Sequence, residues 1–119
     1  KEVKDVVSEI NNYRYEQKEE AVAKAKKTVK TLDARIDSMQ AELNAITDQE
    51  AKATKEQLQE RIDNLKKQRD ELKSKIDSLA SSSADAWDDI KNGLSKSLQE
   101  LDNAIQKAEA EFESNSESK

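Results

Sequence analysis

From Val22 onward, apolar residues fall at Ala25, Val29, Leu32, Ile36, Met39, Leu43 and Ile46, spaced alternately by three and four residues without a break. This is a heptad seam, with Val22, Val29, Ile36 and Leu43 at a and Ala25, Leu32, Met39 and Ile46 at d. It predicts an amphipathic helix with a narrow apolar stripe. A second seam runs through Leu58, Ile62, Leu65, Arg69, Leu72, Ile76 and Leu79, with Leu at every d position. Between Ile46 and Leu58 the repeat slips by an amount that matches neither a stutter nor a stammer. The polar, Ala-rich stretch between them carries two capping-box patterns, Thr47-x-x-Glu50 and Thr54-x-x-Gln57. We read a tight turn near residues 48–54. The alternative is one continuous helix of about 65 residues, close to ~100 Å long.

A second break is the cluster Ser81-Ser82-Ser83-Ala84-Asp85. Ser82 or Ser83 is placed to cap the next helix, with Asp85, Asp88 and Asp89 in its first turn. The third segment places large residues at Trp87, Ile90, Leu94, Leu98, Leu101, Ile105 and Phe112, with a flanking stripe of small ones at Ala86, Gly93, Ser97 and Ala104. Its apolar face is wider than a two-helix seam requires, as expected of a helix packed against two neighbours. At the N-terminus, Val3, Val6, Val7, Ile10, Tyr13 and Tyr15 have helical spacing but are out of phase with the Val22 seam. This stretch is either a separate short helix or an extension of the first. The polar tail, 114–119, is expected to be disordered.

The pattern therefore predicts a single all-α domain spanning 1–119. It is an antiparallel three-helix coiled-coil-type bundle, with helices near 16–47, 54–80 and 84–113 and an additional N-terminal segment at 1–15. A turn near residue 52 pairs Ile46 with Leu58, Met39 with Leu65, Leu32 with Leu72 and Ala25 with Leu79. Arg69 then lies opposite Ile36, within reach of Asp33 or Asp37, as a polar a residue that sets register. A turn near residue 83 places Trp87 against Leu79 and the Ala25 region, buried and structural. Gly93 costs ~1 kcal/mol in a helix interior. Close approach of another helix, with Ser97 one turn on, is the expected compensation, and a kink is the alternative.

Composition sharpens this picture. Charged residues make up 39% of the chain and aromatics 3%, with no Pro and a single Gly. Leu, Ile, Val and Phe together are a little under a fifth, which fills a seam but not a broad globular core. Charges of both signs are interspersed, giving a net charge of −5, the mark of solvated helices rather than a disordered polyion. The acidic balance argues against nucleic acid as a partner. No apolar run approaches the ~20 residues that cross a bilayer. With neither Cys nor His, thiol nucleophiles, the usual zinc sites and imidazole acid–base catalysis are excluded. Carboxylate pairs at helical spacing (Asp33 with Asp37, Glu16 with Glu20, Glu56 with Glu60) read as solvated faces. A di-metal bundle needs inward-facing Glu and His. No catalytic, cofactor-binding or metal-binding residue and no small-molecule substrate are expected. Tyr13 and Tyr15 are the candidate interaction residues, either as an exposed docking site or folded back onto the bundle.

Three pieces, Tyr15-Glu16-Gln17-Lys18-Glu19-Glu20, Leu32-Asp33-Ala34-Arg35-Ile36-Asp37 and Ala86-Trp87-Asp88-Asp89-Ile90-Lys91, resemble a family of bacterial cell-envelope coiled-coil-domain proteins of unknown function. The resemblance spans roughly 10–112. Members of that family usually carry a cleaved leader, so it implies an extracytoplasmic home, in the periplasm or cell envelope, with a leader removed before Lys1. It implies no activity. The expected function is that of a non-enzymatic structural or protein-interaction bundle, binding a protein partner or itself through seam residues. The alternatives are a lipid-associating amphipathic protein, disfavoured by the mixed polar faces, and a hydrophilic stress-protective protein.

Overall fold

A computed structural model describes residues 3–46 and 52–117. It contains four α-helices: α1 (Val3–Asn12), α2 (Lys18–Asn44), α3 (Lys52–Ala80) and α4 (Trp87–Glu117), with a short 3-10 turn, Tyr15–Gln17, leading into α2. No strand occurs among the described residues. The protein is an all-α helical bundle, with the N-terminal segment forming a separate helix rather than an extension of α2.

The α2 and α3 bounds lie within a few residues of those expected from the seams. The α4 helix starts three residues later than expected and continues to Glu117, into the tail read as disordered. The expected turn at 48–54 falls largely on residues 47–51, outside the described residues, as does the Thr47 capping box. Thr54 lies inside α3 rather than at its cap. What is plain is that α2 and α3 are antiparallel neighbours and not parts of one straight helix. Gln40 and Gln59 exchange amide hydrogen bonds at 2.9 and 3.0 Å. Arg69 Nη1 donates to Asp33 Oδ1 at 2.6 Å, and Lys55 Nζ reaches the Ile46 carbonyl at 2.9 Å. These links agree with the register that pairs Met39 with Leu65.

The second hairpin departs from expectation. A turn centred on residue 83 would place Lys75 opposite position 91 and Arg61 opposite position 105. Instead Lys75 Nζ donates to Ser97 Oγ at 2.6 Å, and Arg61 pairs with Glu111 at 2.7 Å. The cause is in the connection. Ser82 Oγ donates back to the Leu79 carbonyl at 2.8 Å and closes α3. Ser83 Oγ accepts from the Ala86 amide at 3.3 Å and organises a further turn before α4 begins. That extra turn slides α4 along α3 and carries Trp87 past the end of the α3 seam.

The core runs the length of the bundle. Leu32, Ile36, Ile62, Leu72, Leu94, Leu98 and Ile105 are fully buried, and each such side chain contributes about 1.5–3 kcal/mol relative to exposure. Ala25 and Leu79 are fully buried as well. Helix α1 packs against both α2 and α4 through Val3, Val6 and Ile10, all buried and spaced to lie on one helix face. Glu9 pairs with Lys24 at 2.8 Å, so α1 runs antiparallel to α2. The α4 helix thus touches three helices, which is why its apolar face is broad. The particle measures 55 × 22 × 17 Å, and a cross-section that thin is spent on helix packing.

Candidate functional site at the elbow clasp

The chain reverses between α1 and α2 within a few residues. After Asn12, Tyr13 donates its amide to the Ile10 carbonyl at 3.1 Å. Arg14 is extended, at φ −94° and ψ 165°, and its amide is held at 3.0 Å by Gln17 Oε1. A helix C-terminus leaves carbonyls without partners. Here they are taken up by side chains from α4, some 80 residues away in sequence. Lys91 Nζ donates to the Asn11 carbonyl at 2.8 Å and to the Tyr13 carbonyl at 3.1 Å. The Trp87 indole Nε1–H donates to the same Tyr13 oxygen at 3.2 Å. The ammonium also lies 6.0 Å from the Trp87 ring centroid and 3.5 Å from Asp88. A cation at a helix C-terminus is favoured by the helix dipole, more so when partly buried.

Lys91 is 7% exposed. Its burial is tolerable because its donors have partners. Its place in the sequence carries a signal: Trp87, Lys91, Leu94, Leu98 and Leu101 are spaced four, three, four, three, so Lys91 occupies a seam position. Nothing local, however, says that its partner would be a helix end.

Trp87 is buried in the same core cluster as Leu79 and Ala25, as the pattern predicts. Its indole also holds the elbow. The Tyr15 ring meets it edge-on at a centroid distance of 6.0 Å, and Lys18 Nζ sits 5.1 Å from the Tyr15 centroid while donating to the Ser82 carbonyl at 3.3 Å. Tyr13 is half-buried against the core. Tyr15 is 36% exposed. Both tyrosines therefore fold back onto the bundle, with part of the Tyr15 ring left at the surface.

Below α1, a second polar link ties α2 to α4. The Arg35 guanidinium donates to Asp102 at 2.9 Å and to Glu109 at 2.7 Å and 3.2 Å, and Asp102, which is buried, also accepts from Gln106 at 2.8 Å. The hydrogen bond to Glu109 raises the Arg35 pKa above its ordinary value, desolvation opposes it, and the bond to Asp102 adds to the rise. The cation therefore persists at every physiological pH. Arg69 reaches Asp33 and also Asp70, the latter at 3.1 Å, in the position that register assigns it. Gly93 contradicts its expectation: a Cβ built there meets nothing within 4 Å. No helix approaches closely, and α4 runs through it unbroken.

The carboxylate pairs lie on outer faces, with Asp37, Glu16, Glu20, Glu56 and Glu60 exposed. Among the described residues no group of three or more carboxylates is gathered in a way that would hold a metal ion, and no helix is long and apolar enough to cross a membrane. A shallow depression is lined by Lys27, Lys30, Thr31, Ala34, Arg35 and Ser38. All six belong to α2, so it is the outer surface of one helix rather than a cleft between elements. Comparison with protein-family models, with curated proteins and with solved structures finds no match.

Proposed function

We propose that this chain is a non-catalytic structural or protein-interaction bundle of the bacterial cell envelope. The observation that carries the reading is that all four helices spend their apolar faces on one internal core. The buried cations and anions are likewise spent on holding helices to one another. Binding through the seams, the route expected from the heptads, would require unfolding that core. Partner contact is therefore assigned to the polar outer faces and to the partly exposed Tyr15. The envelope placement rests on the family resemblance.

The test is site-specific photo-crosslinking in cells, with a photoreactive residue placed in turn at exposed outer positions such as Ser38, Asn64 and Asn103, followed by fractionation. The proposal expects a discrete protein adduct from some of these positions, recovered with the extracytoplasmic fraction. Recovery in the cytosol without any adduct would overturn it.

A further inference from the structure

Gly93 has no packing reason to be glycine, since a Cβ built there meets nothing within 4 Å. Its neighbour Asn92 is exposed, and the Asn92 side-chain amide makes no hydrogen bond among the described residues. An Asn followed by Gly carries chemistry of its own. The main-chain nitrogen of the second residue attacks the side-chain carbonyl carbon of the first, and glycine, without a Cβ, obstructs that approach least. A bond forms between the Gly93 nitrogen and Asn92 Cγ. The Cγ–Nδ2 bond breaks, and ammonia leaves with the proton that the Gly93 nitrogen gives up. Water then opens the cyclic imide at one carbonyl or the other. The products are aspartate and isoaspartate, the latter with the main chain rerouted through Cβ and lengthened by one carbon.

The helix holds this reaction back. Within α4 the Gly93 amide is engaged in the helical ladder, and the helical backbone at Asn92 keeps Cγ away from the Gly93 nitrogen. The attack therefore requires the first turns of α4 to open. Helix ends open more readily than helix centres, but this end is held. Trp87 and Lys91 both donate to the Tyr13 carbonyl, and Lys91 also donates to the Asn11 carbonyl. Asn92 follows Lys91 directly, so the Asn92–Gly93 pair is exposed to attack only when the clasp lets go.

We infer that Asn92–Gly93 is a site of spontaneous modification held in check by the Lys91–Trp87 clasp, and that its isoaspartate product uncouples the clasp from the core. The added carbon falls between Lys91 and Leu94. On one side of it, Trp87 and Lys91 are fixed to the end of α1. On the other, Leu94, Leu98, Leu101 and Ile105 are fixed in the core. A single turn of helix does not keep both registers once the chain between them is longer. The modified chain therefore gives up the contacts at the elbow and keeps the remainder of the bundle.

The test incubates the full chain at mildly alkaline pH and follows isoaspartate at position 92 by peptide mapping with enzymatic methylation. The native chain is compared with the chain in urea, with Lys91→Met, and with Ile62→Val, which loosens the core near the start of α3, at the end of the bundle away from the clasp. The inference expects rapid conversion in urea and slow conversion in the native chain. Lys91→Met should raise the native rate at least about tenfold, and Ile62→Val should leave it nearly unchanged. Equal rates in the native chain and in urea overturn the inference. So does equal acceleration by Ile62→Val and Lys91→Met, since the reaction then follows global unfolding. Trp87→Phe takes the place of Lys91→Met if that variant fails to fold. The isoaspartyl chain, separated by chromatography, should show red-shifted Trp87 emission with most of its helicity intact. Unshifted emission overturns the uncoupling.

Discussion

Lys91 on α4 and the main-chain oxygen of Tyr13 are 3.1 Å apart, and the indole of Trp87 donates to that same oxygen. One carbonyl at the end of α1 thus collects two donors from the start of α4. Hydrogen bonds from a charged donor contribute about 1.5–3 kcal/mol when buried. Lys91→Ala should therefore lower stability by about 2 kcal/mol, read as a shift of the denaturation midpoint at unchanged m-value. A loss under ~0.5 kcal/mol would mean that the clasp contributes nothing beyond an ordinary surface residue.

Trp87 adds packing to its hydrogen bond. Trp87→Ala should cost ~3 kcal/mol or more, which is enough to unfold a marginal bundle. Trp87→Phe keeps an aromatic ring beside Tyr15 and loses the indole donor, so its cost should be closer to ~1 kcal/mol. Thermal melts of the two variants distinguish these contributions. Equal losses would show that the N–H, rather than the ring, carries the effect.

Arg69 and Asp33 are partly exposed, at 18% and 29%, so solvent screens their attraction. Such a pair contributes ~0–1 kcal/mol. Arg69→Leu should leave stability unchanged or raise it, because an apolar a residue suits the seam better than a guanidinium. A loss of several kcal/mol in urea denaturation would reveal a role for Arg69 beyond its links to Asp33 and Asp70.

Two single-atom changes on α4 test its packing from opposite directions. Gly93→Ala adds a methyl where nothing lies within 4 Å and should stabilise the helix by ~0.5–1 kcal/mol. Ser95→Ala removes a buried hydroxyl without a partner among the described residues and should stabilise by up to ~1 kcal/mol. Each is read by the change in melting temperature. A destabilised Gly93→Ala chain would restore the close-approach reading of that residue, and a destabilised Ser95→Ala chain would mean that the hydroxyl has a partner.

The α2–α3 hairpin was legible because a heptad states both the face and the phase of a helix. Once the turn is placed near residue 52, Arg69 must lie opposite Ile36, within reach of Asp33 or Asp37, and the structure selects Asp33. The α3–α4 register was not legible, because the Ser-rich connection permits more than one length of turn. Nothing in Ser82 or Ser83 announces that the first would close α3 and the second would cap a further turn. The slide of α4 that follows brings the Trp87 indole N–H to the Tyr13 carbonyl at the elbow. Val3, Val6 and Ile10 pointed to a helix, yet its docking place depends on Lys91, whose partner is a pair of backbone carbonyls, and backbone leaves no trace in the side-chain pattern. Gly93 misled because its small size implies crowding only where a neighbour is present.

Helix α4 clasps the end of α1 in a closed bundle, with Trp87 at the join. Equilibrium urea unfolding, followed on one sample by far-UV circular dichroism and by Trp87 fluorescence, tests it most directly, because the chain has a single tryptophan. The account expects blue-shifted emission in the folded protein and a red shift that coincides with the loss of helicity in one cooperative transition. Water-exposed emission while the helices are intact would contradict it.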